Sequence, residues 1–468
     1  VLKKYDEYLK IQQQLGNSTL SDDEIKELTS EANSLWRDLR YESKSFDDYT
    51  KSMEASWKDV RNSLSDDEMA IEYIRSGEGL NNYYALILRK GYEAPLVEKT
   101  GWESRYTENT DSLYSVKGKY GSPWPSHREM KDGEFVYPLK NVKRIFVSPT
   151  GILHQIALES IHDLYTDSIM SSKYQIYRVS STRELIGRKT VRAKAKAKAV
   201  LYGGVSYQLS DDEWMTLSRT TGSGGSMMAM RSAPLLNRGA VELALSPLYG
   251  TVQEVKEIAD VFHAEGDGVE DVMGKMATEG HLKSLNGNEV SILHIATHGF
   301  YQTENAANDS VSVSFTNQKR SSEGNALSRS GLFMAGASAV FDNLSIPSNV
   351  DDGVLTALEI SHLDFTNVNL VTLSACETAL GDITGDGVFG LQRGFKKAGV
   401  QSILMSLWKV DDEATCLLMT EFYKNWIGEK MTKHDALEAA KQTVRSHKEK
   451  GWDDPKYWVA FILLDGLD

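Results

Sequence analysis

Apolar residues recur at helical spacing through the first part of the chain. Ile25, Leu28, Ala32, Leu35, Trp36 and Leu39 form one stripe, and Tyr49, Met53, Trp57, Val60 and Leu64 form a second. Residues three and four apart share a helix face, so each stripe predicts an amphipathic helix. Ser21, with Glu24 three residues later, reads as a capping box that starts the first. Two such helices in succession predict a helical hairpin over residues 1–65. The last unit of a helical repeat array would have the same pattern.

Beyond that hairpin the period changes. Short apolar runs at 69–74, 83–88, 142–147 and 199–201 are separated by Gly, Pro and Asn, the residues that punctuate strands. Helical candidates such as 182–188 lie between them. In the second half, 290–297, 368–374 and 401–407 read as buried strands, with helices at 251–263, 389–398 and 412–427. Val252, Val255, Ile258, Ala259 and Phe262 mark the apolar side of the first of these helices. This alternation predicts an α/β architecture, a mainly parallel sheet flanked by helices. It also places functional groups at the carboxyl ends of strands. The stretches 206–239, containing Thr220-Thr-Gly-Ser-Gly-Gly-Ser226, and 302–330 are too long for plain connections and predict mobile or regulatory loops.

Composition narrows the classes. At 468 residues the chain predicts two or three domains, and 41% apolar with 25% charged residues describes a soluble globular protein. A net charge of −14 argues against a nucleic-acid partner, which needs a concentrated basic face. The basic run 192–198, where Arg and Lys alternate with Ala, reads as a solvated strand edge or linker. Two cysteines, Cys376 and Cys416, make no disulfide framework and predict a reducing, cytoplasmic setting. No run of about eighteen apolar residues and no signal peptide is present, so no membrane partner is expected. The chain opens with Val1, which predicts a piece of a longer protein.

Two strand ends carry chemistry. One reads Ile292-Leu-His-Ile-Ala-Thr-His-Gly-Phe300 and the other Leu370-Val-Thr-Leu-Ser-Ala-Cys-Glu-Thr378. Each apolar strand stops at a reactive residue, His298 or Cys376. If the strands are parallel neighbours, the two emerge side by side. A thiol with pKa about 8.5 is mostly protonated at neutral pH, and a nearby imidazole favours the reactive thiolate. The same imidazole can later protonate a leaving amine. Gly299 leaves its N–H open to close approach by an oxyanion, with the N–H of Cys376 as second donor. A lone strand-end cysteine or histidine is ordinarily a packing residue, so the pair carries the reading.

The surrounding residues resemble the CHAT family, caspase-like domains often found with TPR repeats. The resemblance runs from Val147-Ser-Pro-Thr-Gly-Ile-Leu-His-Gln-Ile-Ala-Leu-Glu-Ser160 and Ser246-Pro-Leu-Tyr-Gly250 through the two strand ends. It continues with Asp386-Gly-Val-Phe-Gly-Leu-Gln-Arg-Gly-Phe-Lys-Lys-Ala-Gly399 and Ser406-Leu-Trp-Lys-Val-Asp-Asp-Glu-Ala-Thr415, so that it spans residues 70–468. It implies a cysteine endopeptidase with His298 as base and Cys376 as nucleophile, acting on a protein substrate. It also implies an activating partner or sensor, as in the bacterial regulatory and defence systems where relatives occur. A catalytically silent scaffold on the same fold is the alternative. The resulting division is a hairpin at 1–65, a pseudo-protease-like α/β half at 66–200 and a catalytic domain at 201–468. No dyad is visible in the middle part, and self-processing in a long loop is open.

The substrate pocket is less determined. The segment from Leu407 to Cys416 resembles the separase segment bearing the acid for a basic P1 side chain, yet that position falls on Cys416. Asp411 and Asp412 are candidate pocket acids that also suit a helix N-terminus. Trp408 is a candidate pocket wall or core aromatic. Cys416 reads as packing, and His294, on the strand face of His298, as an orienting or structural group. Asp382-Ile-Thr-Gly-Asp-Gly387 lacks the downstream carboxylate of a calcium loop. No zinc-type cluster or phosphate-binding loop occurs, so no metal or cofactor is expected.

Overall fold

The computed structural model describes residues 54–76, 82–102, 139–161, 168–188, 198–220, 245–301, 327–342, 346–374 and 387–468. It also describes 4, 7, 11, 28–32, 34–35, 38, 106, 123–124, 129–131, 134–136, 234–235, 314–315, 344 and 381–384. Among these, no helix is long and apolar enough to cross a membrane.

In chain order the main strands are β1 (Glu68–Arg75), β2 (Asn82–Leu88), β3 (Leu96–Trp102), β4 (Arg144–Ser148), β5 (Gln175–Arg178), β6 (Lys198–Gly203) and β7 (Gly268–Met273). They continue as β8 (Ile292–Ile295), β9 (Gly299–Tyr301), β10 (Ser330–Phe333), β11 (Val354–Thr356), β12 (Leu370–Leu373), β13 (Ser402–Ser406) and β14 (Phe461–Leu464). One 11-stranded sheet runs β7-β6-β8-β12-β13-β14-β5-β4-β1-β2-β3, and a three-stranded sheet runs β9-β10-β11. In the large sheet β7 to β13 are parallel, as are β14, β5, β4 and β1. The β13–β14, β1–β2 and β2–β3 pairs are antiparallel. The architecture is the mainly parallel α/β sheet that the alternation predicts.

Every residue of β8, β12 and β13 is buried. Parallel strands covered on both faces need such continuous apolar sequence. At the margin, β7 places Glu270 and Asp271 outward, charges that blunt an open edge. The principal helices are α1 (Trp57–Ser63), α2 (Asp211–Thr220), α3 (Gly250–Ala264), α4 (Glu279–Ser284), α5 (Ala357–Ile360), α6 (Leu391–Lys397), α7 (Asp412–Tyr423) and α8 (Lys433–Ser446). Val255, Ile258, Ala259 and Phe262 of α3 are buried, as its stripe requires, and Glu254 is buried among them. Helix α6 ends at Gly399 (φ +97°), where Gly399 N–H reaches Lys396 O and Val400 N–H reaches Phe395 O. A left-handed glycine closes a helix this way at no steric cost.

The C-terminal strand joins the two parts of the sheet. Leu464 of β14 lies opposite Arg178 of β5. Next to it, Asp465 accepts the Ser180 N–H at 2.8 Å and meets Lys396 Nζ at 2.8 Å. Arg178 is 2% exposed and forks onto Glu159 (Nε–Oε1 3.1 Å, Nη2–Oε2 2.9 Å) while donating to the His154 and Ile156 carbonyls. Burial opposes ionisation of Glu159, but the Arg178 guanidinium outweighs it and holds the carboxyl below its usual range.

Two expectations change. Ten residues of the loop expected over 206–239 form α2. Ser210 and Glu213 cap it reciprocally, and Trp214 buries against Gly336. The second N-terminal helix, expected from Tyr49, is described only as α1 from Trp57. In the first, residues 28–32 and 34–35 are helical and Ala32 is buried, whereas Ser21 and Glu24 lie outside the described residues. So do residues 192–197 of the basic run and most of the 302–330 loop.

Candidate active site

Strands β8 and β12 are parallel neighbours, with Ile295 opposite Leu373. The Ser374 N–H bonds to Ile295 O at 3.0 Å, which continues the pairing one step further. Counted from that Ile295–Leu373 pair, positions 298 and 376 are each three residues onward. Cys376 itself lies outside the described residues, as do Ala375 and residues 377–380.

His298 is fixed from three sides. Its N–H donates to the Tyr207 hydroxyl at 3.3 Å, and its carbonyl accepts from Phe333 N at 2.9 Å. Thr297 reinforces this by bonding to the Tyr207 hydroxyl (2.9 Å) and to Phe333 O (2.5 Å). The imidazole Nε2 lies 2.8 Å from Ser246 O. A carbonyl only accepts, so Nε2 carries the hydrogen and the neutral ring presents its lone pair at Nδ1. Gly299 follows directly and opens β9, opposite Leu332 of β10.

Burial holds the His298 pKa below the ordinary imidazole value; the Ser246 hydrogen bond opposes it, Lys409 adds to it and Asp412 opposes it. The net result keeps the ring a neutral base at physiological pH. Asp412 is shifted up from the usual carboxylate range by burial and by neighbouring Asp411, with His298 pulling the other way.

Beside these groups lies a small cleft of about 30 Å³. Ser374, Asp412, Glu254, Leu248, Val410 and Phe461 line it. Of the sequence candidates for the pocket, Asp412 is therefore on the wall. Asp411 is the N-cap of α7, accepting from Glu413 N (3.1 Å) and Ala414 N (3.0 Å). Trp408 is half-buried against the main core and donates to Lys456 O at 3.0 Å. Cys416 is buried in α7, and burial together with Glu254 and Glu257 pushes its thiol up to about 12. Such a thiol stays protonated and unreactive.

Against this geometry, a family profile described as the CHAT domain matches residues 134–466, well over half of the sequence. The chain belongs to the CHAT-domain family. The match takes in every motif from Val147 onward, and residues 70–133 fall before it. Tetratricopeptide repeat protein 28 of Homo sapiens is 25% identical over 258 residues, 52% of this chain but 10% of that protein. The CHAT chain thus spans about a tenth of the length of that curated relative. Among solved structures, the Arg-specific cysteine proteinase gingipain R is 10% identical with a TM-score of 0.36, covering 69% of this chain and 63% of that one. The Saccharomyces cerevisiae separase–securin complex is 11% identical with a TM-score of 0.35, covering 99% of this chain and 27% of that one.

Within this CHAT domain, several groups at the site carry no catalytic signature in sequence. Tyr207 falls in a stretch read as loop. Ser246 belongs to a noted motif, yet it acts through its backbone carbonyl, which any residue possesses. Glu254 had a legible signal: an acid on the apolar side of a helix, one residue before Val255. His294 is fully buried, with Nε2 2.9 Å from Glu254 Oε1 and its ring edge-on to Tyr423. Its location is structural, beneath the cleft.

Proposed function

We propose that this CHAT domain is a cysteine endopeptidase in which Cys376 is the nucleophile and His298 the general base. The observation that carries the reading is the in-register parallel pairing of β8 and β12, from whose last pair, Ile295 and Leu373, positions 298 and 376 are each three residues onward in sequence. The Ser246 carbonyl supports it further, because it orients a neutral imidazole with Nδ1 available. The thiol proton passes to Nδ1 as sulfur attacks the scissile carbonyl. The Gly299 and Cys376 N–H groups receive the oxyanion. On collapse the imidazolium returns the proton to the leaving amine, and a thioester remains. Water, deprotonated by the same ring, then releases the acid and restores the thiol.

The substrate in this reading is a protein, and activity is switched on by an upstream sensor or partner. That the chain spans a tenth of its human relative supports a domain working with further segments. Profiling cleavage of an unbiased peptide library tests the proposal. Wild-type protein is expected to cleave, and Cys376→Ala to lose cleavage while keeping its melting temperature. Cleavage retained in Cys376→Ala removes the proposal.

A further inference from the structure

Four residues around the His298 backbone close a circuit of hydrogen bonds whose direction is fixed. The Phe333 carbonyl only accepts, so the Thr297 hydroxyl donates to it at 2.5 Å. With that hydrogen spent, the 2.9 Å contact between Thr297 Oγ1 and the Tyr207 hydroxyl leaves Tyr207 as the donor. The Tyr207 oxygen in turn accepts the His298 N–H at 3.3 Å, and Phe333 N–H returns to His298 O at 2.9 Å. Tyr207 and Thr297 are buried. There a hydrogen bond is stronger and an unmade one costs more. Tyr207 is itself anchored: Ser206 N–H donates to Gly274 O at 3.2 Å, Ser206 O accepts from Gly336 N at 3.1 Å, and Tyr207 O accepts from Ser338 N at 3.0 Å. Its aromatic ring stands 5.2 Å from the imidazole, tilted by 40°.

We propose that Tyr207 is a positioning residue for the base, fixing the backbone that carries the His298 imidazole and lying against the imidazole itself. The Ser246 carbonyl settles which ring nitrogen carries the hydrogen, but a hold on one atom leaves the ring free to pivot about that bond. The Tyr207 hydroxyl pins the other end of the residue, and the phenol ring limits the pivot. Removing that hydroxyl strands both the His298 N–H and the Thr297 oxygen. The members of such a circuit polarise one another, so losing either hydroxyl breaks the same unit and the two losses do not add. A base misplaced by about 1 Å costs up to about 10²-fold in rate. The role rests on the peptidase reading above, and the test separates the two.

Alkylation of Cys376 by iodoacetamide near neutral pH would be timed by mass spectrometry in wild type, His298→Ala, Tyr207→Phe, Thr297→Val and the double variant Tyr207→Phe/Thr297→Val. The two ring nitrogens of His298 would be followed by NMR of protein carrying labelled histidine. Tyr207→Phe is expected to slow alkylation about tenfold, short of the loss in His298→Ala, and to draw the separate signals of the protonated and unprotonated nitrogens together. Thr297→Val is expected to match it, and the double variant to be no slower than either. Thr297→Ser, which keeps the hydroxyl, is expected to recover most of the rate lost in Thr297→Val. A merely structural role would lower the melting temperature and leave the nitrogen signals in place. Wild-type rate and nitrogen signals in Tyr207→Phe, beside a slow His298→Ala, overturn the positioning role and leave the peptidase reading standing. Losses that multiply in the double variant overturn the circuit. A rate unchanged in His298→Ala overturns the peptidase reading and the role with it.

Discussion

A histidine serves as a base near neutral pH only if its environment keeps it uncharged and aims one nitrogen. Burial does the first for His298 and the Ser246 carbonyl the second. The acidic limb of kcat/KM reports the pH at which the free enzyme's base becomes protonated. With the His298 value lowered, the ring stays neutral as pH falls through the ordinary imidazole value of about 6.5, so the limb is expected below it. Asp412 raises the His298 value, so Asp412→Asn should move the limb further down. A limb at or above about 6.5 in wild type, or a rise in Asp412→Asn, would contradict this placement of charge. His298 stands out in sequence because it ends an apolar run; Cys376 is singled out on the same ground and lies outside the described residues. Tyr207 and Ser246 do not stand out, because one lies far away in a connection and the other contributes a backbone atom.

Elements around the site are held by charges as well as by apolar packing. The sheet β9-β10-β11, which begins one residue after His298, is tied to α4 and α5 by an acid cluster around Lys283. Lys283 Nζ meets Glu279 Oε1 at 2.6 Å, Asp351 Oδ1 at 3.0 Å and Glu359 Oε1 at 3.2 Å. Asp352 stands in the same cluster. Burial first, and Glu359 and Asp351 after it, raise its carboxyl to about 7 against the pull of Val354 N–H and Lys283. A carboxyl raised on folding binds more protons in the native state, so stability falls as pH climbs toward that value. Asp352→Asn removes the titration. Its melting temperature relative to wild type is therefore expected to rise as pH passes from about 5 to about 8. A difference that stays flat over that range would refute the assignment. Helix α6 shows a different constraint: a Cβ on Gly394 would lie 2.6 Å from Ala357 O, so only glycine lets it close on α5. The strands β8, β12 and β13 were legible because apolar residues dominate the runs around them. Strands β3, β5 and β7 were missed, since each is short or half-exposed, and their pairing decides their state more than their composition does.

At the scale of the molecule, one sheet runs through what the sequence divides at residue 200, a boundary that falls inside β6. The continuity depends on β14, the last strand in the chain, inserted between β13 and β5. Such a long-range pairing leaves no local signal. Arg178, buried at that seam with Glu159, is expected to matter most as half of a pair. Arg178→Met should cost about 3–5 kcal/mol in denaturant unfolding, because Glu159 is then left buried and unpaired. The double variant Arg178→Met/Glu159→Leu should recover much of that loss. A single variant costing under about 1 kcal/mol, or a double variant no better than the single, would show that the fork does not support the seam.

In the proposed mechanism the imidazole of His298 activates the sulfur of Cys376. The most direct measurement is the pH dependence of Cys376 alkylation by iodoacetamide, read by mass spectrometry in wild type and in His298→Ala. The proposed mechanism predicts an alkylation rate that rises below pH about 6.5 in wild type, as the neutral His298 ring becomes able to take the thiol proton, and a rise only near about 8.5 in His298→Ala. Identical profiles in the two proteins would contradict it.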